Sequence, residues 1–386
     1  MTVSAIPRAR SVAERMSARA QAYDASGEFP SADFDDLRDA GLLGLMVPRR
    51  LGGLGASFAE YADVAVELGA GAGATALIFN MHASVTGALA HTPDDLVRAF
   101  GAPDSFFESR DRVLRAAADG SLYAVAMSER GVGSRLSKVA TAYERTAAGF
   151  RITGSKTFVS GAGHADAYLV AARDHTADEP RVSYFLVPAG DGVRVEPTWD
   201  ALGMRATGSH DLHLDTEVGR DALVGGIEGA ALLLAQVMPQ WLVASYAAVY
   251  VGVARAVLDH GAKHLRERGL HTLPAVRARM GRADTRVAAA ALVVAEAARR
   301  VAEDPGGQET NRWVWRAKLA AGDTAAEVAS SVLEAAGASA TRRGHPLERL
   351  YRDARCGALQ PATSDVCADW LGARAVGDDP DEAPRW

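Results

Sequence analysis

Cysteine is nearly absent from this chain, with Cys356 and Cys367 the only two in 386 residues. Two thiols close at most one bridge and cannot build a cysteine-rich zinc site, which fits a reducing cytoplasm. A basic excess is missing too. Against 42 Lys and Arg stand 48 Asp and Glu, a net charge of -6, so DNA or RNA finds no electrostatic footprint. The N-terminal MTVSAIPRARSVAERMSARA holds no apolar core of signal-peptide type. One long uncharged stretch exists, Gly229 to Ala254, and it could span a bilayer by length alone. Gln236, Pro239 and Gln240 interrupt its middle and no basic flank brackets it. It therefore reads as a helix buried inside a bundle, with no membrane partner.

What is present is ordinary globular material, 48% hydrophobic and 23% charged, enough for two or three packed units. Three textures follow one another. Residues 1–120 carry helical periodicity, as in Phe34, Leu37, Leu42 and Leu45, broken by the glycine-rich segment Val47 to Ser57. Residues 121–225 alternate in short runs such as Phe150-Arg151-Ile152 and Tyr184-Phe185-Leu186-Val187, punctuated by Gly, Asp and Pro. That predicts short strands and tight turns in a small barrel or sandwich. Residues 226–386 return to helical spacing, with four long segments near 230–267, 273–302, 310–337 and 346–372. The acidic run from Asp378 to Glu382 reads as a frayed tail. The fold class is α+β: helical domain, β-domain, four-helix bundle. Strands do not alternate with helices, so a doubly wound nucleotide fold is excluded.

Several segments, in order, resemble the acyl-CoA dehydrogenase superfamily. They are Ala40 to Pro48 with Leu51-Gly52-Gly53-Leu54-Gly55, Ala126-Met127-Ser128-Glu129 through Ser134, and Gly154 to Gly161. Trp199 to Ser209 and Leu347 to Arg355 complete the set. The resemblance spans about residues 10 to 372 and implies a flavin held between β-domain and bundle. A flavin edge needs backbone N–H groups and short hydroxyls that approach without charge. By the resemblance, Met127 and Ser128 meet the pyrimidine edge. Phe158 packs the ring, Ser160 offers a hydroxyl near N5, and Gly133 and Ser134 form a turn near phosphate or substrate. Arg205 falls in a segment on the flavin side of the β-domain, or in a plain hairpin connection with a surface arginine. Arg266, Arg268 and Thr363 are the remaining cofactor candidates. Trp241, Tyr246 and Tyr250 are the candidate substrate wall. The fold favours FAD over FMN, and a homodimer or homotetramer.

The departures from the family bear on the chemistry. Acyl-CoA dehydrogenation needs a carboxylate near the substrate α-carbon. Many members place that glutamate just after the Arg-Asp-Ala-Arg segment, where this chain has Pro361. The other family location, on the first bundle helix, reads Met238-Pro239-Gln240-Trp241-Leu242-Val243, without a carboxylate. Asp365 is the one nearby carboxylate, and its plain reading is a surface or capping residue. The cross-subunit arginine segment is reduced to Arg266-Glu267-Arg268-Gly269, and the glutamine-glycine-glycine segment to Leu333-Glu334-Ala335-Ala336-Gly337. Both changes weaken the hold on the adenylate end. Glu348, Arg349, Arg352 and Asp353 stand at helical spacing, which predicts intrahelical ion pairs on a solvated or subunit-facing stripe. His210 and His213 lack a third ligand, so no metal site is expected.

Three functions follow. The first is a monooxygenase that takes reduced flavin from a separate reductase, activates O2 at the flavin C4a carbon and needs no α-proton base. Its substrate would be small and organic, or carrier-bound. The second is an acyl-CoA or acyl-carrier-protein dehydrogenase with a relocated base such as Asp365. The third is a non-redox binding subunit.

Overall fold

The computed structural model describes residues 4–177 and 181–380, without the side chains of residues 241–244. Asp381 and Glu382 of the acidic tail lie outside the described residues. Six helices come first: α1 (Ile6–Ser26), α2 (Ser31–Asp39), α3 (Phe58–Gly71), α4 (Gly73–His91), α5 (Asp94–Ala99) and α6 (Asp104–Ala118). Helix α3 starts on a capping box. Ser57 Oγ accepts from Glu60 N at 3.2 Å, and Ser57 N donates to the Glu60 carboxylate at 3.0 Å. Helix α4 is apolar on nearly every face and buried along most of its length, as a helix inside the molecule must be.

Seven strands follow: β1 (Tyr123–Ala126), β2 (Ala142–Arg145), β3 (Gly149–Val159), β4 (Ala167–Asp174), β5 (Val182–Pro188), β6 (Val193–Glu196) and β7 (His210–Gly219). They form one sheet, in the order β1-β4-β2-β3-β7-β6, with β5 on the other edge of β4. Strands β1 and β2 share one edge of β4 end to end, both parallel to it. The long antiparallel pair β3–β7 is the spine of the domain.

The C-terminal helices are α7 (Ala231–Val237), α8 (Gln240–Glu267), α9 (Pro274–Glu303), α10 (Gln308–Ala336), α11 (Pro346–Cys356) and α12 (Ser364–Val376). Two expected helices are each divided. The 230–267 segment stops before Pro239, which cannot donate to the helix ladder, so α7 and α8 are separate. The 346–372 segment is cut by a loop over residues 357–363. Among the described residues, no helix is long and apolar enough to cross a membrane.

Helix α8 lies against both α10 and α3. The α3–α8 crossing is close because both helices put glycine at the contact. A Cβ on Gly69 would lie 2.5 Å from the Val249 carbonyl oxygen, and one on Gly252 2.3 Å from that of Val66. One contiguous apolar core runs through the N-terminal helices, the sheet and the bundle.

The Glu348–Asp353 stripe is not solvated. Arg349, Arg352 and Asp353 are 5%, 7% and 3% exposed. The intrahelical pair Arg352–Glu348 forms at 2.6 Å, but the same guanidinium also grips Asp24 of α1 at 2.6 and 2.9 Å. Asp353 accepts from Met204 N at 2.6 Å. The motif fastens the β-domain and α1 to the bundle, which the helical spacing alone could not reveal.

Candidate functional site

Strand β1 runs out into Met127 and Ser128, and Thr157 N donates to the Ser128 carbonyl at 2.8 Å, tying this exit to β3. Strand β3 loses register with β7 between Lys156 and Val159. Phe158 sits in that break at φ +58°, a left-handed conformation that costs an aromatic residue energy. The break leaves the residue 63% exposed, with its ring edge-to-face with Trp199, centroids 6.1 Å apart. Beyond the break, Ser160 is buried with its Oγ 2.9 Å from Ser209 Oγ.

These residues wall one cleft. Met127, Ser128, Ser134, Phe158 and Ser160 line it from the β-domain, Tyr246 from α8 and Pro361 from the 357–363 loop. Met81, Val125 and Leu136 complete the lining and were not singled out from sequence, because each reads as ordinary core. Among the described residues no carboxylate lines it. The hydroxyls of Ser128 and Ser134 make no hydrogen bond among the described residues, so both are available to a ligand.

Beneath the cleft lies a buried ion pair. Lys156 Nζ sits 2.7 Å from the Glu129 carboxylate, which also accepts from Ala140 N at 2.6 Å and Thr141 N at 3.0 Å. Burial pushes the Glu129 carboxyl up, but Lys156 and the N–H donors outweigh it and hold it below its usual range. Glu129 N and Gly133 N exchange backbone bonds across the intervening turn, which aims Ser134 at the cleft. Gly133 itself is exposed at φ +65°. Lys156 falls in the inward phase of β3 with Ile152 and Phe150, a pattern visible in the sequence.

Pro361 is held by a second buried lysine. Lys318 Nζ donates to Gly357 O at 2.7 Å and to Gln360 O at 3.2 Å, fixing the loop that faces the cleft.

The other candidates stand elsewhere. Arg205 is spent on the Asp24 carbonyl at 3.0 Å, Asp200 at 3.0 Å and Ala201 O at 3.2 Å. Tyr250 is fully buried and packs under Gly357 rather than lining the cleft. Thr363 caps α12, and Asp365 is exposed in its first turn. Arg266 and Arg268 are exposed at the far end of α8, about 30 Å of helix from Tyr246. The Trp241 side chain lies outside the described residues. Cys356 and Cys367 are both free, and burial pushes their thiols up to about 12 and about 11, so neither is a nucleophile at neutral pH.

A second space of about 210 Å³ adjoins the cleft and shares Val125 and Met127 with it. Val85 and Leu89 of α4, Leu186 of β5, and Leu233, Leu234 and Met238 line it. Among the described residues its one charged side chain is Arg110, which is paired with Asp94 at 2.5 Å.

An uncharged cleft with free hydroxyls, under an exposed aromatic ring, fits a flavin ring and its polar edge. Comparison with known proteins agrees with that chemistry. The N-terminal, middle and C-terminal domain models of acyl-CoA dehydrogenase match residues 7–99, 124–216 and 244–364. L-evernosamine nitrososynthase from Micromonospora sp. is 30% identical, covering 96% of this chain and 89% of its own. A putative acyl-CoA dehydrogenase of Bacillus subtilis is 29% identical over 94% of both chains. The FMN-bound crystal structure of TdsC from Paenibacillus sp. A11-2, a dibenzothiophene monooxygenase, superposes with a TM-score of 0.84. It is 25% identical, and the match covers 96% of this chain and 97% of that one.

Proposed function

From the premise that the chain belongs to the acyl-CoA dehydrogenase family of flavin-dependent oxidoreductases, we propose that it is a monooxygenase for a small apolar organic molecule. The observation that carries this reading is Pro361 on the cleft wall, with no carboxylate beside it among the described residues. Removal of an α-proton needs a base within hydrogen-bond reach of the substrate, and this wall offers none. Asp365, the relocated base of the alternative reading, is exposed and outside the cleft lining.

The adjoining cavity supports the substrate class. It is smaller than the usual 300–1,000 Å³ of a drug-sized pocket, and its walls are almost wholly apolar at about 210 Å³. A coenzyme A thioester brings several phosphates, and Arg110 is already paired. The cavity suits an uncharged ring system free of any carrier.

Reduced flavin bound in the cleft supplies the electrons that activate O2. Phe158 would cover the ring, and Ser128 and Ser134 would offer hydroxyls to its polar edge. Met127, which lines both the cleft and the apolar cavity, would stand between flavin and substrate. The apolar walls exclude water from the meeting point. The cross-subunit arginine segment is reduced to Arg266-Glu267-Arg268-Gly269 and the glutamine-glycine-glycine segment to Leu333-Glu334-Ala335-Ala336-Gly337. Because the adenylate end therefore has a weak hold, we take FMN rather than FAD as the flavin, delivered reduced by a separate reductase. The FMN-bound relative supports that choice.

The test uses the protein loaded anaerobically with reduced FMN, mixed with indole as an apolar aromatic probe, then exposed to isotopically labelled O2. We expect one labelled oxygen atom in the product. Unlabelled indole, together with bleaching of bound oxidised flavin by an acyl thioester, would overturn the reading in favour of a dehydrogenase.

A further inference from the structure

Ser160 faces the cleft with a single hydroxyl, and the destination of its proton decides what it can bind. Its Oγ lies 2.9 Å from Ser209 Oγ, which lies 2.7 Å from Thr207 Oγ1, which in turn donates to the Met204 carbonyl at 2.9 Å. All three side chains are buried. A carbonyl oxygen only accepts, so the Thr207 proton is directed at Met204. Ser209 then donates to Thr207, and Ser160 donates to Ser209. In this arrangement Ser160 turns bare lone pairs toward the cleft.

The opposite arrangement can also be written. Thr207 would donate to Ser209, Ser209 to Ser160, and Ser160 outward. That rotation gives up the Thr207–Met204 bond, so the inward arrangement holds one more hydrogen bond. The two forms of a flavin differ in the complementary way. Ring N5 is an acceptor when oxidised and carries N–H when reduced by two electrons.

We infer that the Ser160–Ser209–Thr207 relay is a redox-selective element, accepting from reduced N5–H and disfavouring oxidised flavin. The inference rests on the flavin reading of the cleft and on the family resemblance that puts N5 near Ser160; what it adds is the direction of the protons along the relay. A protein fed by a reductase gains from such a bias, since spent flavin leaves more readily than fresh flavin. Thr207 and Ser209 are positioning residues here, because they act through Ser160.

One hydrogen bond is worth about fivefold in an equilibrium. Thr207→Val removes the end of the relay while keeping its shape. The Met204 carbonyl keeps Thr207 N at 3.1 Å and Trp199 Nε1 at 3.2 Å as donors, so the loop retains its anchors. The experiment measures dissociation constants of oxidised and dithionite-reduced FMN, anaerobically, for the unaltered chain, Thr207→Val, Thr207→Ser and Ser209→Ala. In Thr207→Val the preference for reduced FMN should fall about fivefold, which lowers the bound two-electron potential by roughly 20 mV. Ser209→Ala should shift it the same way by a second route, and Thr207→Ser should restore the unaltered value. FMN bound with one unchanged ratio in all four proteins would overturn the relay and leave the flavin site standing. No binding of either form by the unaltered chain would overturn the flavin reading itself.

Discussion

His82 joins the N-terminal helices to the β-domain through both of its ring nitrogens. It sits on α4, 1% exposed. Its Nε2 lies 2.7 Å from the Leu43 carbonyl and must donate to it, which leaves Nδ1 bare to accept from Tyr123 N at 3.0 Å. A second proton would have to go on Nδ1, directly against that N–H. Burial pushes this imidazole down to about 4, against a smaller upward pull from the Leu43 carbonyl. The unfolded histidine titrates near 6.5. Between those values the unfolded chain holds the extra proton, so stability is full above about pH 6.5 and drains as pH falls toward about 4. The full fall from 6.5 to about 4 corresponds to about 3 kcal/mol. The assay is urea unfolding of the unaltered chain and His82→Gln at about pH 7.5 and about pH 4.5. Other histidines contribute equally to both proteins, so the difference isolates His82. The unaltered chain should lose about 2.5 kcal/mol more than the variant over that interval, most of the full effect. Equal losses would refute the assignment of a neutral, doubly bonded imidazole.

Arg352→Leu leaves the buried Asp24 and the partly buried Glu348 carboxylates without their partner, and should cost about 3–5 kcal/mol in a denaturant titration. Ala88→Phe fills the apolar cavity, so the apparent KM for an apolar aromatic should rise about tenfold while FMN affinity holds, read by parallel turnover and flavin titration. Asp365→Asn should keep turnover within about twofold and lose about 0.3–1 kcal/mol by weakening the negative charge at the start of α12, read by rate and thermal melt.

The order of helical, β and helical regions is legible in the sequence because amphipathic period and turn residues are local properties. What escapes is whatever depends on a distant partner. Arg352 satisfies a helical ion-pair pattern with Glu348, and its spacing says nothing of Asp24. Pro239 is visible in the sequence, yet the uncharged run around it reads as one helix until the backbone shows two. In the cleft, Ser128, Phe158 and Ser160 come within reach of inference because they sit in segments with a family register. Met81, Val125 and Leu136 are ordinary apolar residues on buried elements, and no local pattern tells a cleft wall from a core. The apolar cavity is hidden for the same reason, being a gap left among side chains that would look identical if packed tight. The relay from Ser160 through Ser209 to Thr207 spans a strand break and a helical turn, so only coordinates can join it.

The Asp24–Arg352 contact also sets a clock on manufacture. Its two partners are 328 positions apart, so at roughly 5–20 residues per second Asp24 leaves the ribosome about a quarter of a minute to a minute before Arg352 is added. During that interval α1 and the β-domain loop at Met204 lack the helix that fastens both of them. The cleft waits longer still for its Pro361 wall, which follows Arg352 in the chain.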